Sequence, residues 1–506
     1  MNFSDQTSNL ANREAPLEIH GDEFRELGYK LVDQIAKFLD GLSQRPVTSG
    51  ESPQTIRNLL GTDTLPEHGS PANDLLDEVT DLLLDHSLFN GHPRFWGYIT
   101  SSAAPIGVLA DLLAAAVNPN VGAAVLSPVA SEIEAQSIRW IADLIGYPRT
   151  CGGLLVSGGN MANFVCFLAA RKAKVPWDLS VDGLSAGNRQ LVTYVSKETH
   201  TWIDKAAELF GMGTNSVRWI VANEDHQMDI DALEKQIKAD LADDHLPFLV
   251  VGTAGTVGIG ATDPLPEIAA ICKEYNLWFH VDGAYGAPAV VLPDASNQLK
   301  GLREADSIAL DPHKWLYCPL EAGCALVRDP HHLIKTFSHN PTYYNFDGIQ
   351  EDPPINYHEF GLQNSRGFRA LKVWLGFRQV GREGFMKMIG DDIALSQALY
   401  EAVGTHPELQ AITQNFSITT FRFVPLKLPD DKEAVETYLN KLNEELLNHL
   451  QKSGEAFISN AVIEGKYLLR ACIVNFRTAL SDVEALPEIV IRLGRKLDSE
   501  IRPKSL

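Results

Sequence analysis

The chain has 506 residues, too many for one ordinary hydrophobic core, so two or three structural units are expected. Hydrophobic residues make up 45% and charged residues 21%, ordinary values for a folded globular protein. With 65 acidic against 43 basic residues the formal charge is -22, and no Lys/Arg-rich block offsets it, which speaks against a nucleic-acid or anionic-membrane partner.

Met1 to Pro16 is polar and carries no apolar signal-peptide core. The longest apolar stretch, Ile106 to Val117, contains Asp111 and is too short to span a bilayer. Cys151, Cys166, Cys272, Cys318, Cys324 and Cys472 are scattered and form no C-x-x-C pair, a pattern of reduced, buried thiols rather than of disulfides or a zinc site. These features together point to a cytoplasmic protein.

Residues 1 to about 20 read as a loose arm. From Asp22 to Leu39 apolar residues recur at helical spacing, with Asp22 placed to cap the helix. Ser43 to His68 is rich in Ser, Pro, Thr and Gly and reads mostly as loop. A second amphipathic helix spans about Ala72 to Leu84. These two helices lack the material for a core of their own and must pack on something larger.

Short β-branched runs then alternate with helical patterns. Strands are expected at Leu191–Val195, Trp219–Val221, Phe248–Val251, Leu277–Val281, Ser307–Leu310 and Cys324–Val327, with helices such as Asp231–Leu241 and Pro266–Tyr275 between them. Such alternation implies an α/β unit with a mostly parallel sheet, whose ligands sit at the carboxyl ends of the strands. From about Arg382 the order is a long helix, a strand at Phe416–Phe423, a helix from about Asp431 to Gln451, a strand at Tyr467–Val474 and a helix near Val483–Leu497. That succession suggests a small α+β domain.

Three segments carry chemistry. In Ser307–Arg328 a lysine, Lys314, follows His313 directly after a buried strand, and apolar surroundings that disfavour its ammonium suit Schiff-base chemistry. In His280–Gly286, at the end of the Leu277–Val281 strand, Asp282 is a carboxylate followed by small residues that can reach a closely packed ligand; pyridoxal phosphate needs one against its ring nitrogen. In Leu154–Asn163, Gly158, Gly159 and Asn160 lead into a helix at Phe164–Arg171, and exposed backbone N–H groups at a helix start favour a phosphate. Each sign is weak alone. A phosphate cradle, an Asp at a strand end and a Lys at a later one, in that order, are together the plan of fold-type I pyridoxal-phosphate enzymes.

From about Phe24 to Leu497 the sequence resembles the group II decarboxylases, which include the aromatic-L-amino-acid and glutamate decarboxylases. HPRFWGY (92–98), HVDGAYG (280–286) and DPHKW (311–315) carry the likeness most specifically. The resemblance implies a fold-type I enzyme with pyridoxal 5'-phosphate, a helical dimer-forming segment over 1–95, a large cofactor-binding α/β domain over 96–380 and a small α+β domain over 381–506. It further implies Lys314 as the Schiff-base lysine, Asp282 on the pyridine nitrogen and His200 stacked on the ring. Gly158, Gly159, Asn160 and His313 fall near the phosphate, Thr253 lies beside the cofactor, and Phe95, Tyr98 and Ile99 approach the substrate side chain. A homodimer with its site at the subunit interface is implied as well.

By the same resemblance, the long unpatterned stretch His339–Arg366 is a lid, and counting back from Gly367 places Tyr357 on it as the acid that protonates the substrate carbon. Family members lacking that tyrosine or the stacking histidine tend to form aldehydes; keeping both favours plain decarboxylation to an amine and carbon dioxide. One position departs from the pattern. Asp311 stands where the animal aromatic and glutamate enzymes have an asparagine near the phosphate, and a carboxylate there would repel it, so the side chain is expected to turn elsewhere or to accept backbone hydrogen bonds.

An aromatic lining favours an aromatic L-amino acid as substrate. Arg94 keeps an acidic substrate, glutamate or aspartate, as the alternative, and an aldehyde-forming or transaminating enzyme would share the same cradle, Asp and Lys. No metal is expected, since His331 and His332 are adjacent and no H-E-x-x-H occurs.

Overall fold

The unbroken apolar runs in the middle of the chain become strands buried on both faces, as a sheet covered by helices on each side requires. A computed structural model describes residues 15–61, 64–339 and 354–504. Contacts divide the chain into two units, residues 1–89 with 452–454, and residues 90–451 with 455–506.

In the first unit lie α1 (Gly21–Gly41), α2 (Pro53–Leu60) and α3 (Ala72–His86). Helix α1 starts one residue before the expected cap. Asp22 therefore sits inside the first turn, beside Glu23, where it meets the positive end of the helix dipole without capping it. Helix α2 falls in the stretch read as loop; Ser52 caps it by accepting from Thr55 N at 3.1 Å, and Pro53 occupies the first turn. Of α1 only Leu27 is buried, which agrees with helices that have no core of their own.

The second unit opens with α4 (Pro105–Val117) and α5 (Pro128–Leu144). There follow β1 (Gly152–Val156), α6 (Gly159–Lys174), β2 (Leu191–Ser196), α7 (Trp202–Leu209), β3 (Val217–Ile220), α8 (Ile230–Ala242), β4 (Leu246–Thr253), α9 (Leu265–Glu274), β5 (Trp278–Asp282), β6 (Ser307–Leu310) and β7 (Gly323–Val327). The strands form one sheet in the order β1-β7-β6-β5-β4-β2-β3. All pairings from β6 to β3 are parallel, whereas β7 runs antiparallel to both β6 and β1. The sheet is thus mostly parallel, and β1 reaches it only through β7.

Helix α6 starts earlier than the apolar pattern suggested, because Gly158 at φ 146° adopts a backbone closed to other residues and lets the chain turn straight from β1 into the helix. Its buried Val165, Cys166, Phe167 and Ala170 pack on the sheet, and Arg171, Lys172 and Lys174 in its last turn suit the negative end of the dipole.

Helix α10 (Ala370–Gly404), broken at Gly381, leads to β8 (Leu409–Asn415), β9 (Ile418–Phe423), α11 (Lys432–Ser453), β10 (Ser459–Ile463), β11 (Lys466–Cys472) and α12 (Leu480–Ile501). The four strands form a separate antiparallel sheet in the order β10-β11-β9-β8. Its inner strands are those the sequence suggested. The outer two are partly polar, β8 largely half-exposed and β10 alternating buried with exposed residues. All six cysteines are free thiols, five of them buried. No helix among the described residues is long and apolar enough to cross a membrane.

Candidate active site

The carboxyl ends of β1, β2, β4, β5 and β6 lead into one cavity of about 360 Å³. Thr253 ends β4, Asp282 ends β5, Asp311 follows β6, Gly158 follows β1 and His200 follows β2, and all of them line it. Gly159, Asn160, His313, Lys314 and Ile99 line it too.

At one end backbone approaches backbone. A β-carbon on Gly323, the first residue of β7, would stand 2.5 Å from Gly158 C, and one on Gly159 would stand 2.7 Å from Asp311 Oδ2. Only hydrogens fit there. The first turn of α6 also leaves the N–H groups of Gly159, Asn160 and Met161 without helical acceptors.

At the other end Asp282 is held by donors on both oxygens. Oδ2 accepts from Trp202 Nε1 at 2.8 Å and Asn163 Nδ2 at 3.4 Å, and Oδ1 accepts from Ala284 N at 3.2 Å. Asn163 Oδ1 in turn accepts from His280 Nε2 at 2.7 Å, while His280 Nδ1 accepts from Ser307 Oγ at 2.8 Å. Burial lowers the His280 pKa to about 4, so the ring is neutral and this tautomer is the one the chain of bonds requires.

His200 stands at the cavity mouth. Desolvation in the concave wall holds its pKa below the usual histidine value, opposed by the charge of Asp282. Its Nδ1 accepts from Trp202 N at 3.3 Å, which leaves Nε2 to carry the hydrogen of the neutral ring. The His313 pKa is lowered by burial too, and its Nδ1 lies 2.7 Å from Ala322 O.

The turn bearing Lys314 is anchored from behind. Trp315 is fully buried, stacks on Tyr285 at 4.7 Å and donates through Nε1 to Asp392 Oδ2 at 2.9 Å; Tyr317 donates to the same oxygen at 2.6 Å. Lys314 Nζ does not meet apolar groups alone. It lies 3.0 Å from Asp311 Oδ2. The expectation that Asp311 turns away is therefore corrected: the peptide turn that presents Lys314 (Lys314 N to Asp311 O, 2.9 Å) also brings the carboxylate into the cavity.

Three other expected residues lie off the cavity. Phe95 is core, stacked on Phe457 at 5.3 Å, and Tyr98 is largely solvent-exposed. Tyr357 is not on a mobile cover: it is buried in the core, with the Arg366 guanidinium 4.8 Å from its ring centre. Half of the expected lid, residues 340–353, lies outside the described residues. Sequence reasoning also passed over Asn163, Trp202, Gly323 and Arg470. Arg470 is buried and donates to Tyr98 O, Ser459 Oγ and Gly258 O, and its Nη2 has no hydrogen-bond partner among the described residues. Nothing local in YLLRAC announces a buried cation.

Residues 53–424 match the family described as the pyridoxal-dependent decarboxylase conserved domain. The chain belongs to that family. The enzyme is also 34% identical to an aromatic-L-amino-acid decarboxylase of Bacillus atrophaeus, over 92% of its own length and 94% of the relative's. Among solved structures it is similar to Oryza sativa TDC with PLP and tryptamine, with a TM-score of 0.87 and 26% identity over 96% of this chain and all of that one. It is similar as well to Catharanthus roseus tryptophan decarboxylase in complex with L-tryptophan, with a TM-score of 0.85 and 27% identity over 96% of this chain and all of that one.

The enzyme's cofactor is pyridoxal 5'-phosphate, and the cavity fits it. A glycine-lined stretch beside a helix N-terminus suits a phosphate, a braced carboxylate suits a ring nitrogen, and a lysine lines the same cavity.

Proposed function

We propose that the enzyme removes the α-carboxylate of an aromatic L-amino acid, giving the amine and carbon dioxide. The observation that carries the choice of substrate is the fate of Arg94. Its guanidinium is bound to Asp482 at 3.1 Å, so the cation that kept an acidic substrate open is already neutralised. Ile99, Val257 and Leu320 give the cavity an apolar side, and no arginine is among its lining residues. The names of the relatives support the same reading.

Bound pyridoxal phosphate supplies an electron sink for the pair released when the Cα–carboxylate bond breaks. Lys314 provides the amine that holds the cofactor. Asp282, fixed by Trp202 and Asn163, keeps a negative charge against the ring nitrogen and so favours its protonated form. His200, which lines the same cavity, would stack on the cofactor ring, its Nδ1 taken by Trp202 N and its Nε2 left for the substrate. Gly158, Gly159, Asn160 and His313 would hold the phosphate, and Thr253 would border the ring. Tyr357 takes no part as a proton donor on this reading, because it is enclosed in the core.

The working form is a homodimer in the cytoplasm. Residues 1–95 serve pairing, residues 96–380 hold the cofactor and residues 381–506 form the small α+β part. Six free cysteines, five of them buried, suit a reducing compartment.

To test the reading, the cofactor-loaded enzyme is given aromatic, acidic and basic L-amino acids, and carbon dioxide and amine are measured together. Equal amounts of both from aromatic substrates are expected, with none from a Lys314→Ala variant. Turnover of glutamate or aspartate in preference, or carbon dioxide with aldehyde in place of amine, would overturn it.

A further inference from the structure

Asp311 sits where a phosphate would be repelled. Its side chain is buried, Oδ2 lies 3.0 Å from Lys314 Nζ and 3.8 Å from His313 Nε2, and Oδ1 is buried without a hydrogen-bond partner among the described residues. Oδ2 is also the atom a β-carbon on Gly159 would strike, so the carboxylate borders the first turn of α6, the seat of the phosphate. Lys314 is the carboxylate's ion-pair partner. The same amine cannot serve both groups: once Lys314 turns to the cofactor's aldehyde, the carboxylate is left beside a phosphate carrying up to two negative charges.

A proton resolves the conflict. A protonated Asp311 carries no charge and gains an O–H donor, which the phosphate oxygens can accept. The other groups around it do not supply that charge. His313 on the same turn and His200 beyond β2 are both held towards the neutral form by desolvation, Cys324 on β7 is a buried thiol whose pKa is raised, and Asp282 across the cavity is a second carboxylate. Among the described residues that line the cavity, once Lys314 is engaged, positive potential comes from the N-terminus of α6.

We propose that cofactor capture by this enzyme is proton-coupled through Asp311: the carboxyl takes one proton from solvent as the phosphate enters and donates it in a hydrogen bond to a phosphate oxygen. The inference rests on the family's cofactor and not on the choice of substrate, so it stands or falls separately from the aromatic reading.

The test measures the dissociation constants of pyridoxal phosphate and of pyridoxal, which lacks the phosphate, by equilibrium dialysis against apoenzyme between pH 6 and 9. For the wild type, affinity for pyridoxal phosphate should fall with rising pH more steeply than affinity for pyridoxal, by about tenfold per pH unit where one proton is taken up. Asp311→Asn keeps the shape and a permanent N–H donor. It should bind pyridoxal phosphate about tenfold or more tighter than the wild type at pH 8.5, with no gain for pyridoxal. Parallel profiles for the two compounds on the wild type would overturn the proposal, and so would an Asn variant that gains nothing at pH 8.5 or gains equally for both. The wild-type comparison decides the matter even if the variant does not fold.

Discussion

Gly323 shows how little room the cradle leaves. A methyl group there would meet the C, Cα and N atoms of Gly158 at 2.5–2.7 Å, so Gly323→Ala must displace the turn between β1 and α6. Overpacking of this kind costs about 1–3 kcal/mol, and here the strain falls on the phosphate seat. The dissociation constant for pyridoxal phosphate should rise about tenfold or more while the far-ultraviolet circular dichroism stays unchanged. His280 gives a second prediction. It protonates near pH 6.5 when unfolded but only near 4 when folded, so its contribution to stability is complete above about 6.5 and is lost as pH falls towards 4. The loss amounts to about 3 kcal/mol. Asp263, whose buried carboxyl is pushed up to about 6, acts with the opposite sign, so the measurement must isolate the histidine. Urea unfolding of the wild type and His280→Gln should show the larger stability gap at pH 7.5 and a narrower one at pH 4.5. At this scale the sequence displayed the reacting groups, Lys314, Asp282 and the paired glycines, because their chemistry is local. It did not display their braces: Asn163 and Trp202 reach Asp282 only once three segments are folded together. Tyr357 failed for a related reason, since counting along an unpatterned loop says nothing about which side chain turns inward.

Between elements, the buried pair of Glu134 and Arg366 ties α5, β1 and the segment before α10 together. Arg366 Nη2 lies 2.5 Å from Glu134 Oε1 and also donates to Leu155 O, and Oε1 accepts from Leu155 N at 2.8 Å. Both residues are almost wholly buried. Removing one partner leaves an uncompensated charge in the interior, so Glu134→Gln should lower the unfolding free energy by about 3–5 kcal/mol in a denaturant titration. The strands of the large sheet were legible because burial on both faces makes each one an unbroken apolar run, as in SIAL of β6 and GCALV of β7. Outer strands β8 and β10 were not, since a partly exposed strand mixes polar and apolar residues without a clear period. Helix α2 was hidden by its flanks. Eight residues between Ser52 and Gly61, the first of them a proline, look like loop unless Ser52 is recognised as a cap.

On the whole molecule, the second unit presents apolar side chains to solvent from one stretch of chain. Leu109, Leu112, Leu113 and Val117 on α4 are all more than half exposed, as are Val125, Leu126 and Val129 just beyond. A stripe of this kind on a chain of net charge -22 calls for a cover, and a second copy of the same surface supplies one. Sedimentation velocity should give a dimer for the wild type and a monomer for Leu112→Glu/Leu113→Glu. The division into an α/β sheet and a smaller antiparallel one was readable from the change of pattern near residue 382. The reversal of β7 was not, because direction leaves no mark on an apolar run. That reversal also fixes an order of assembly. The earliest strand of the large sheet to be synthesised, β1, pairs only with the latest, β7, so it must wait unpartnered until nearly the whole sheet has been made. Gly158 and Gly323 come together only at that closing step. A nascent chain can therefore capture no cofactor until its last strand is in place, and the first bound molecule reports that the sheet has closed.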